Sequence, residues 1–446
     1  MATDPVLMVA ALQPRVIVVI VPVRLRATGG RDVRRGVSPW AVRCLFSGPF
    51  LVMLLFVAES DGAWQVRTVP GVTLGAEYSD NVTASAGDKI EDAVLVATPS
   101  LSWRLDREDL RFEGRSALRV ERYLDNGDLD GEDPSHRLGA TWRLNERWTL
   151  SASDEWRESR NLDDLIEAGE IVVQRELRTT NEAQATLTWL ATERATLSVT
   201  YTNYNSQSDD PSNSDYLLHS VSINGSLGLT ERLGFFAGAN VQDYDFSPSL
   251  GDPARRRTFT RNYAVSGGAG YQFSERLEAQ LQLGARHTEQ TTRAVALDVT
   301  TFPIGFVEIE ETSGSVNGTF SGRATYALER GSISFSASQD LTATAGAEGT
   351  VERRTFALNA RNGFAADWEW SAGVTSSSNK TDTGLAATER DTRSLSYRVG
   401  LSYHINDYLD AQFRVRRLDF QDDARTTDVE RHSALVTLTA RWPHNL

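Results

Sequence analysis

The sequence predicts an all-β fold, a transmembrane antiparallel β-barrel of about 18 strands with short periplasmic turns and longer extracellular loops. Apolar and polar residues alternate with period two along most segments from about residue 66 to the end. Tight turns and longer polar connections follow one another in regular order between these segments. The mean hydropathy is -0.35 and 40% of the residues are hydrophobic, which is too little for a bundle of membrane helices.

Residues 1–60 are predicted to be an N-terminal extension that ends in a secretory signal peptide. Residues 45–57 form an apolar run of signal-peptide length, preceded by an arginine and followed by the small residues that a signal peptidase reads. We expect cleavage after Ser60, with Ala63 as the second choice, so that residues 61–446 form the barrel. Two membrane helices are the alternative for the extension, but each apolar run is well short of the ~20 residues that a span requires.

Charge and cysteine content indicate the compartment of the mature chain. The only cysteine, Cys44, lies in the segment predicted to be removed, and a mature chain without thiols suits an oxidising compartment. The whole chain carries a net charge of -14, and residues 1–60 account for +4, so the mature chain carries -18. An acidic chain of this kind is a poor partner for nucleic acid. The expected location is the bacterial outer membrane.

The connections between the alternating segments predict the strand count. Tight turns occur at residues 106–109, 145–147, 192–194, 230–232, 274–276, 328–330, 366–367 and 406–407, and five of them contain a Glu-Arg pair. Longer connections rich in Asp, Gly, Ser and Asn occur at residues 79–91, 125–135, 159–172, 206–214, 247–257, 291–314, 343–351, 379–391 and 421–430. Eight turns and nine loops join eighteen strands, and an even count places both termini in the periplasm. Within the connection 291–314, a small hairpin at 294–309 is the alternative to a loop.

The alternation also assigns the faces of each strand. In the last strand, Ala434, Val436, Leu438, Ala440 and Trp442 fall on one face, with threonines and an arginine between them. In other strands the polar face carries many charges, which could not be packed in a dry core. These faces require a water-filled lumen, which a barrel of about 18 strands provides.

The charged inner wall is the candidate functional site. The alternation predicts these lumen-lining residues: Arg111, Glu113, Arg115, Arg119, Arg143, Arg286, Arg398, Arg414 and Arg416. It assigns Arg137, Arg441, Glu121, Glu278 and Asp410 to the same wall. Rings of charge set pore selectivity, and arginine binds carboxylates through two parallel hydrogen bonds. The wall is therefore either a path for an extended polyanion or sugar polymer, or a set of mixed charges that solvate the lumen and pair across strands. Trp103 and Trp156 would add stacking platforms for sugars if they face inward.

No grouping of residues predicts an enzyme, a cofactor site or a metal site. The six histidines lack metal-ligand spacing, and the sequence has neither a phosphate-binding glycine loop nor a Gly-x-Ser-x-Gly motif. Residues 126–131 match the first half of a calcium-binding loop, but the twelfth position is Arg137, where a glutamate is required. We interpret this segment as a solvated acidic loop, with weak divalent-cation binding near lipopolysaccharide as the alternative.

The first strands resemble a known barrel family. Residues 70–82, Pro-Gly-Val-Thr-Leu-Gly-Ala-Glu-Tyr-Ser-Asp-Asn-Val, are similar to the opening strand of the β-barrel porin 2 family, and residues 100–103, Ser-Leu-Ser-Trp, are similar to its second strand. The resemblance covers residues 64–446. It implies an outer-membrane barrel encoded with exopolysaccharide secretion systems, including those linked to exosortase sorting. It also implies a periplasmic polysaccharide export protein as partner, and it supplies no catalytic residues.

The predicted function is an outer-membrane channel for exopolysaccharide secretion. The expected partners are outer-membrane lipids, lipopolysaccharide, a periplasmic polysaccharide export protein and an anionic or neutral polysaccharide. A general diffusion porin for small solutes is one alternative, because a wet lumen of this size conducts. A non-conducting structural or adhesive barrel that works through its acidic loops is the other.

Overall fold

A computed structural model describes residues 64–160, 176–210, 213–247, 257–298, 305–343, 350–381, 391–423 and 427–445. The chain divides into two units, Met1–Ala63 and Trp64–Leu446. The predicted signal peptide falls on the first unit and lies outside the described residues. In the described part of the chain, no helix has the length and apolar character needed to cross a membrane.

The described residues of the second unit form one antiparallel sheet, with a single 3-10 turn at Gly127–Leu129. The strands are β1 (Gln65–Ser79), β2 (Asp92–Asp106), β3 (Leu110–Tyr123), β4 (Gly131–Arg143), β5 (Trp148–Ser159), β6 (Arg178–Thr192), β7 (Ala195–Ser208), β8 (Tyr216–Gly228), β9 (Leu233–Phe246), β10 (Arg257–Gln272), β11 (Leu277–Asp298), β12 (Gly305–Leu328), β13 (Gly331–Ala343), β14 (Thr350–Gly363), β15 (Trp368–Thr381), β16 (Thr392–Asn406), β17 (Leu409–Asp422), β18 (Thr427–Arg441) and the short β19 (His444–Asn445).

The sheet closes on itself. Each of the long strands pairs with the next along the chain, and β1 pairs with β18 from Gly71↔Arg441 to Ser79↔Ser433. The two residues of β19 continue this seam opposite Arg67 and Thr68. Closure pairs the strands of the wall on both sides, so the backbone donors and acceptors of the wall are satisfied without water. The prediction of an 18-stranded antiparallel barrel is confirmed.

The tight turns are stabilised by the side chain of the residue that opens them. Asn145 Oδ1 accepts hydrogen bonds from the backbone amides two and three residues later, at 2.8 and 3.0 Å. Thr230 Oγ1 and Ser274 Oγ accept the same pair of amides in their own turns. Asn, Thr and Ser are favoured here because their short polar side chains reach backbone amides that the turn leaves unpaired.

The hairpin formed by β11 and β12 corrects one sequence prediction. Residues 291–314 were assigned to a loop, but β11 continues to Asp298 and β12 begins at Gly305, with those two residues paired. The hairpin alternative for this stretch is therefore right. Pairing with β10 ends at Arg293, and pairing with β13 ends at Phe320, so the hairpin extends beyond both neighbouring strands.

The apolar residues of the barrel point outward. Val265 and Leu283, on the outer face of β10 and β11, are 60% and 59% exposed. Ile223 on β8 lies in the same band, and the Trp148 and Trp189 rings stack at 5.7 Å near the turn end of β5 and β6. Stacked aromatic residues at the end of an apolar band are typical of the boundary between lipid and water. Such an exterior is stable in lipid, and the protein is an outer-membrane β-barrel.

Candidate functional site

Strand register places the nine predicted lumen residues on the inward face. Residues directly opposite one another in an antiparallel pair share a face. Arg115 lies opposite Ser102 and Arg137, and Arg398 lies opposite Arg416, all between the outward-facing apolar positions of the same strands.

The nine residues form two levels rather than one site. Those farther from the periplasmic turns are buried or half-buried, namely Arg119, Arg286, Arg398 and Arg416. Those nearer the periplasmic turns are exposed, namely Arg111, Glu113, Arg115, Arg143 and Arg414. The lumen is therefore packed with side chains at its extracellular end and lined with accessible charges at its periplasmic end.

At the extracellular end, one ion-pair network crosses the seam where the barrel closes. Arg431 donates to Glu77 at 3.1 Å and to Ser79 Oγ at 3.0 Å. Arg119 contacts Glu121 at 2.7 Å and also reaches Glu77, 4.0 Å away on a strand that is not its neighbour. The Arg431, Glu77 and Glu121 side chains are only 10%, 12% and 6% exposed. Removal of one partner would leave a buried charge without compensation, which typically costs about 3–5 kcal/mol.

A second set of buried arginines lies on other parts of the wall. Arg286 on β11 is fully buried and lies 3.7 Å from Glu352 on β14, two strands beyond its nearest neighbour. Glu352 also accepts a hydrogen bond from Arg354 at 2.9 Å. Arg178 on β6 contacts Glu176 and Ser206 Oγ, each at 2.8 Å. These charges are held by protein partners and are poorly placed to attract a solute.

The end of the β13–β14 hairpin lies over the extracellular mouth. Pairing between β12 and β13 stops at Gln339, whereas β13 and β14 remain paired as far as Ala343. Ala343 packs against Tyr216, Tyr244 and Phe246, which face the lumen from β8 and β9. Three strands separate β9 from β13 around the wall, so this contact requires the hairpin end to lean across the mouth. The extracellular end of the lumen is narrowed as a result.

The first extracellular loop also folds inward. Val82 packs on Val94 and Val96 of the inward face of β2. The Asp92 carboxylate accepts hydrogen bonds from the backbone amides of residues 124–126 and from Asn126 Nδ2 at 2.8 Å. These contacts join the first two extracellular loops over the packed end of the lumen.

The same contacts account for the segment that resembles half of a calcium loop. Asn126 is held by Asp92, and Asp130 Oδ1 accepts the backbone amide of Tyr123 at 2.9 Å. Among the described residues, no group of three or more His, Cys, Asp or Glu side chains is placed to hold a metal ion. The polar side chains of residues 126–131 thus have a structural role in ordering the loop.

The periplasmic half of the lumen is rich in arginines that lack acidic partners. Six inward-facing arginines form no ion pair with the described residues: Arg67, Arg115, Arg143, Arg323, Arg361 and Arg414. Others are paired, such as Arg111 with Asp106 at 2.7 Å and Arg441 with Asp410 at 2.9 Å. The wall on this side carries excess positive charge, although the whole chain is acidic. Sequence reasoning missed Arg67, Arg323 and Arg361, although the alternation in their strands contains the signal.

The two tryptophans considered as sugar platforms do not face the lumen. Trp103 lies opposite Gly114 on the outer face, and an added Cβ at Gly114 would overlap its ring. Trp156 stacks on His136 at 5.5 Å, also on the outer face. Both residues occupy outward positions in the register, so the condition set for sugar stacking is not met. The residues on either side of Trp103 in the chain, Ser102 and Arg104, occupy the inward positions.

Known proteins share little sequence with this chain. No protein-family model and no curated protein matches it. The structure of Pseudomonas aeruginosa OccK8 (OprE) aligns over 85% of this chain and 98% of its own, with 11% identity and a TM-score of 0.40. The ferric-catecholate import receptor Fiu of E. coli K12 in its open form aligns over 84% and 81%, with 7% identity and a TM-score of 0.44. The FrpB iron transporter of Neisseria meningitidis (F5-1 variant, apoprotein form) aligns over 81% and 62%, with 11% identity and a TM-score of 0.45. Likenesses this weak carry no functional information about this chain.

Proposed function

We propose that this outer-membrane barrel is a channel that exports an anionic exopolysaccharide. The observation that carries the proposal is the set of six lumen arginines in the periplasmic half that have no acidic partner among the described residues. Arginine is weakly hydrated and presents its donors in a planar fork that matches a carboxylate, so an acidic polymer can exchange water for guanidinium contacts along the wall. The polymer would enter at the periplasmic end, where these side chains are accessible.

The resemblance of residues 70–82 and 100–103 to the β-barrel porin 2 family supports the same assignment. In that setting a periplasmic polysaccharide export protein delivers the polysaccharide to the barrel, while lipids and lipopolysaccharide surround the exterior. Export moves the polymer without changing its covalent bonds, so it requires no catalytic residue and no cofactor.

The packed extracellular end favours a gated exporter over an open diffusion porin. A general porin for small solutes needs a lumen that is open at both ends, whereas here Ala343 and the loop residue Val82 pack over opposite parts of the mouth. An exporter can remain closed until a polymer arrives from the periplasm. Small-solute diffusion and a non-conducting structural role are the alternatives that the experiments separate.

Deletion of the gene in its native host tests export directly. We expect secreted polymer to disappear and polymer to accumulate in the periplasm, because synthesis does not depend on the outer-membrane channel. Complementation with the wild-type gene should restore secretion. Unchanged secretion in the deletion strain would contradict the proposal.

Planar-bilayer recordings test the charge of the passage. In a salt gradient, the reversal potential should indicate a preference for anions, because fixed charges in a narrow lumen select counter-ions. The double variant Arg143→Gln/Arg414→Gln should reduce that preference. The matched control is Arg261→Gln, which removes an outward-facing arginine that pairs with Asp243 at 2.6 Å. A large, steady and non-selective conductance would favour the diffusion porin instead.

A further inference from the structure

Two pairs of arginines face one another directly on the lumen side of the first strands. Arg115 on β3 lies opposite Arg137 on β4. One row nearer the periplasmic end, Arg67 on β1 lies opposite Arg104 on β2. Like charges directly opposite on one face of a sheet are destabilising. Two such pairs on four adjacent strands are therefore unfavourable for the barrel by itself.

These residues surround a pocket in the lumen wall. The pocket has a volume of about 380 Å³, and its lining includes Arg67, Ser102, Arg104, Glu113, Arg115 and Arg137. This volume is within the range of small-molecule binding pockets and exceeds what a single inorganic ion needs.

The carboxylates near the pocket do not neutralise it. Glu113 is the single acidic residue in the lining, and it pairs with Arg104 at 3.2 Å. Arg137 has only Glu155 at 3.6 Å, and Glu155 is closer to Arg157, at 2.8 Å. Arg115 has no ion-pair partner among the described residues, and the Arg137 side chain is 70% exposed. Two guanidinium groups that face each other thus remain available to an anion from the lumen.

We propose that this pocket binds a carboxylate of an acidic sugar chain near the periplasmic mouth. Arg115 and Arg137 hold the carboxylate from adjacent strands, Glu113 keeps Arg104 in place, and the Ser102 hydroxyl contacts the sugar. Binding offsets the repulsion between the facing arginines. The inference deepens the proposed export function, on which it rests, by assigning the class of polymer and its first contact with the barrel.

Isothermal titration of the processed barrel in nanodiscs with tri-galacturonate tests the pocket. The wild-type protein should bind tri-galacturonate, whereas maltotriose, a neutral chain of the same length, should not bind. Arg115→Gln should weaken binding about tenfold or more, since it removes a hydrogen-bonded charge pair. The affinity of Arg115→Lys for tri-galacturonate should lie between those of the wild type and Arg115→Gln, because lysine keeps the charge but loses the planar fork. The matched control Arg261→Gln, which removes an arginine paired with Asp243 on the outer face, should leave the affinity within about twofold because it lies outside the lumen and the pocket.

Either of two results would contradict the proposed pocket. Equal losses of affinity in Arg115→Gln and Arg261→Gln would mean that binding follows the net charge of the protein and that there is no pocket of this kind. Inorganic phosphate bound as tightly as tri-galacturonate would exclude a sugar-acid site. Heat-modifiable mobility on gels verifies that each variant is folded. The titration uses purified protein and is independent of secretion in cells. If the deletion strain still secretes polymer while the purified barrel binds tri-galacturonate, the export function is refuted and the binding pocket is not.

Discussion

Two adjacent residues on β8 lie on opposite faces of the barrel wall, one toward lipid and the other toward the lumen. Ile223 points outward in the apolar band and is 48% exposed, and Asn224, next to it, points into the lumen and is also exposed. The two positions have similar exposure but different surroundings. We expect Ile223→Arg to destabilise the barrel strongly and Asn224→Arg to have little effect.

The size of the difference follows from the surroundings of each side chain. Ile223 is flanked by Val199 on β7 and Ala239 on β9, so an arginine there enters the apolar band. Arginine on the lipid face near the bilayer midplane costs about 2–4 kcal/mol, a shift of roughly 30- to 700-fold in the folding equilibrium. At Asn224 the guanidinium enters water, and the change should stay within about 0.5 kcal/mol.

Reversible guanidinium titration of each variant in phosphocholine vesicles measures the free energy of unfolding. Tryptophan emission follows the transition, and an unchanged slope with denaturant shows that the same surface is exposed on unfolding. Equal losses of unfolding free energy at the two positions, or a nearly unchanged unfolding free energy in Ile223→Arg, would refute the placement of this face in lipid. In a soluble sheet with the same exposures, both substitutions would be tolerated.

Three further substitutions test other parts of the structure. Arg107 binds Asp109 through two hydrogen bonds of 2.8 and 3.0 Å and holds the pKa of this carboxyl below its usual value, so Asp109→Asn should cost less than about 1 kcal/mol at neutral pH. That difference should vanish in unfolding titrations as the pH falls through the lowered pKa, because the wild-type carboxyl is then protonated as well. Phe246→Ala removes a ring that is 1% exposed from the extracellular mouth and should lower the unfolding free energy by about 3 kcal/mol while raising the bilayer conductance. Gly114→Ala should cost about 1–3 kcal/mol and shift tryptophan emission, because the new methyl group displaces the Trp103 ring; unchanged emission would contradict this packing.

Much of the barrel could be predicted from local patterns, and the one misassigned segment shows where such patterns fail. Strand number and the inward position of Arg115 follow from period two, which any single strand displays. Residues 291–314 were grouped with the longer connections, yet they continue β11 and β12. Past the ends of pairing with β10 and β13, the two strands pair only with each other, so the pattern along one strand does not show where the barrel wall ends.

By itself, the sequence determined the number and order of the strands and the face on which each lumen residue lies, because these depend on alternation and turn chemistry within a few residues. Only the tertiary structure decided which lumen arginines have partners. Glu77 and Arg431 are 354 positions apart and meet because the barrel closes. Arg286 meets Glu352 across two intervening strands, and the β13–β14 hairpin reaches β8 and β9 across the mouth. These contacts depend on the circumference of the barrel, a property of the whole sheet that no local stretch of sequence contains.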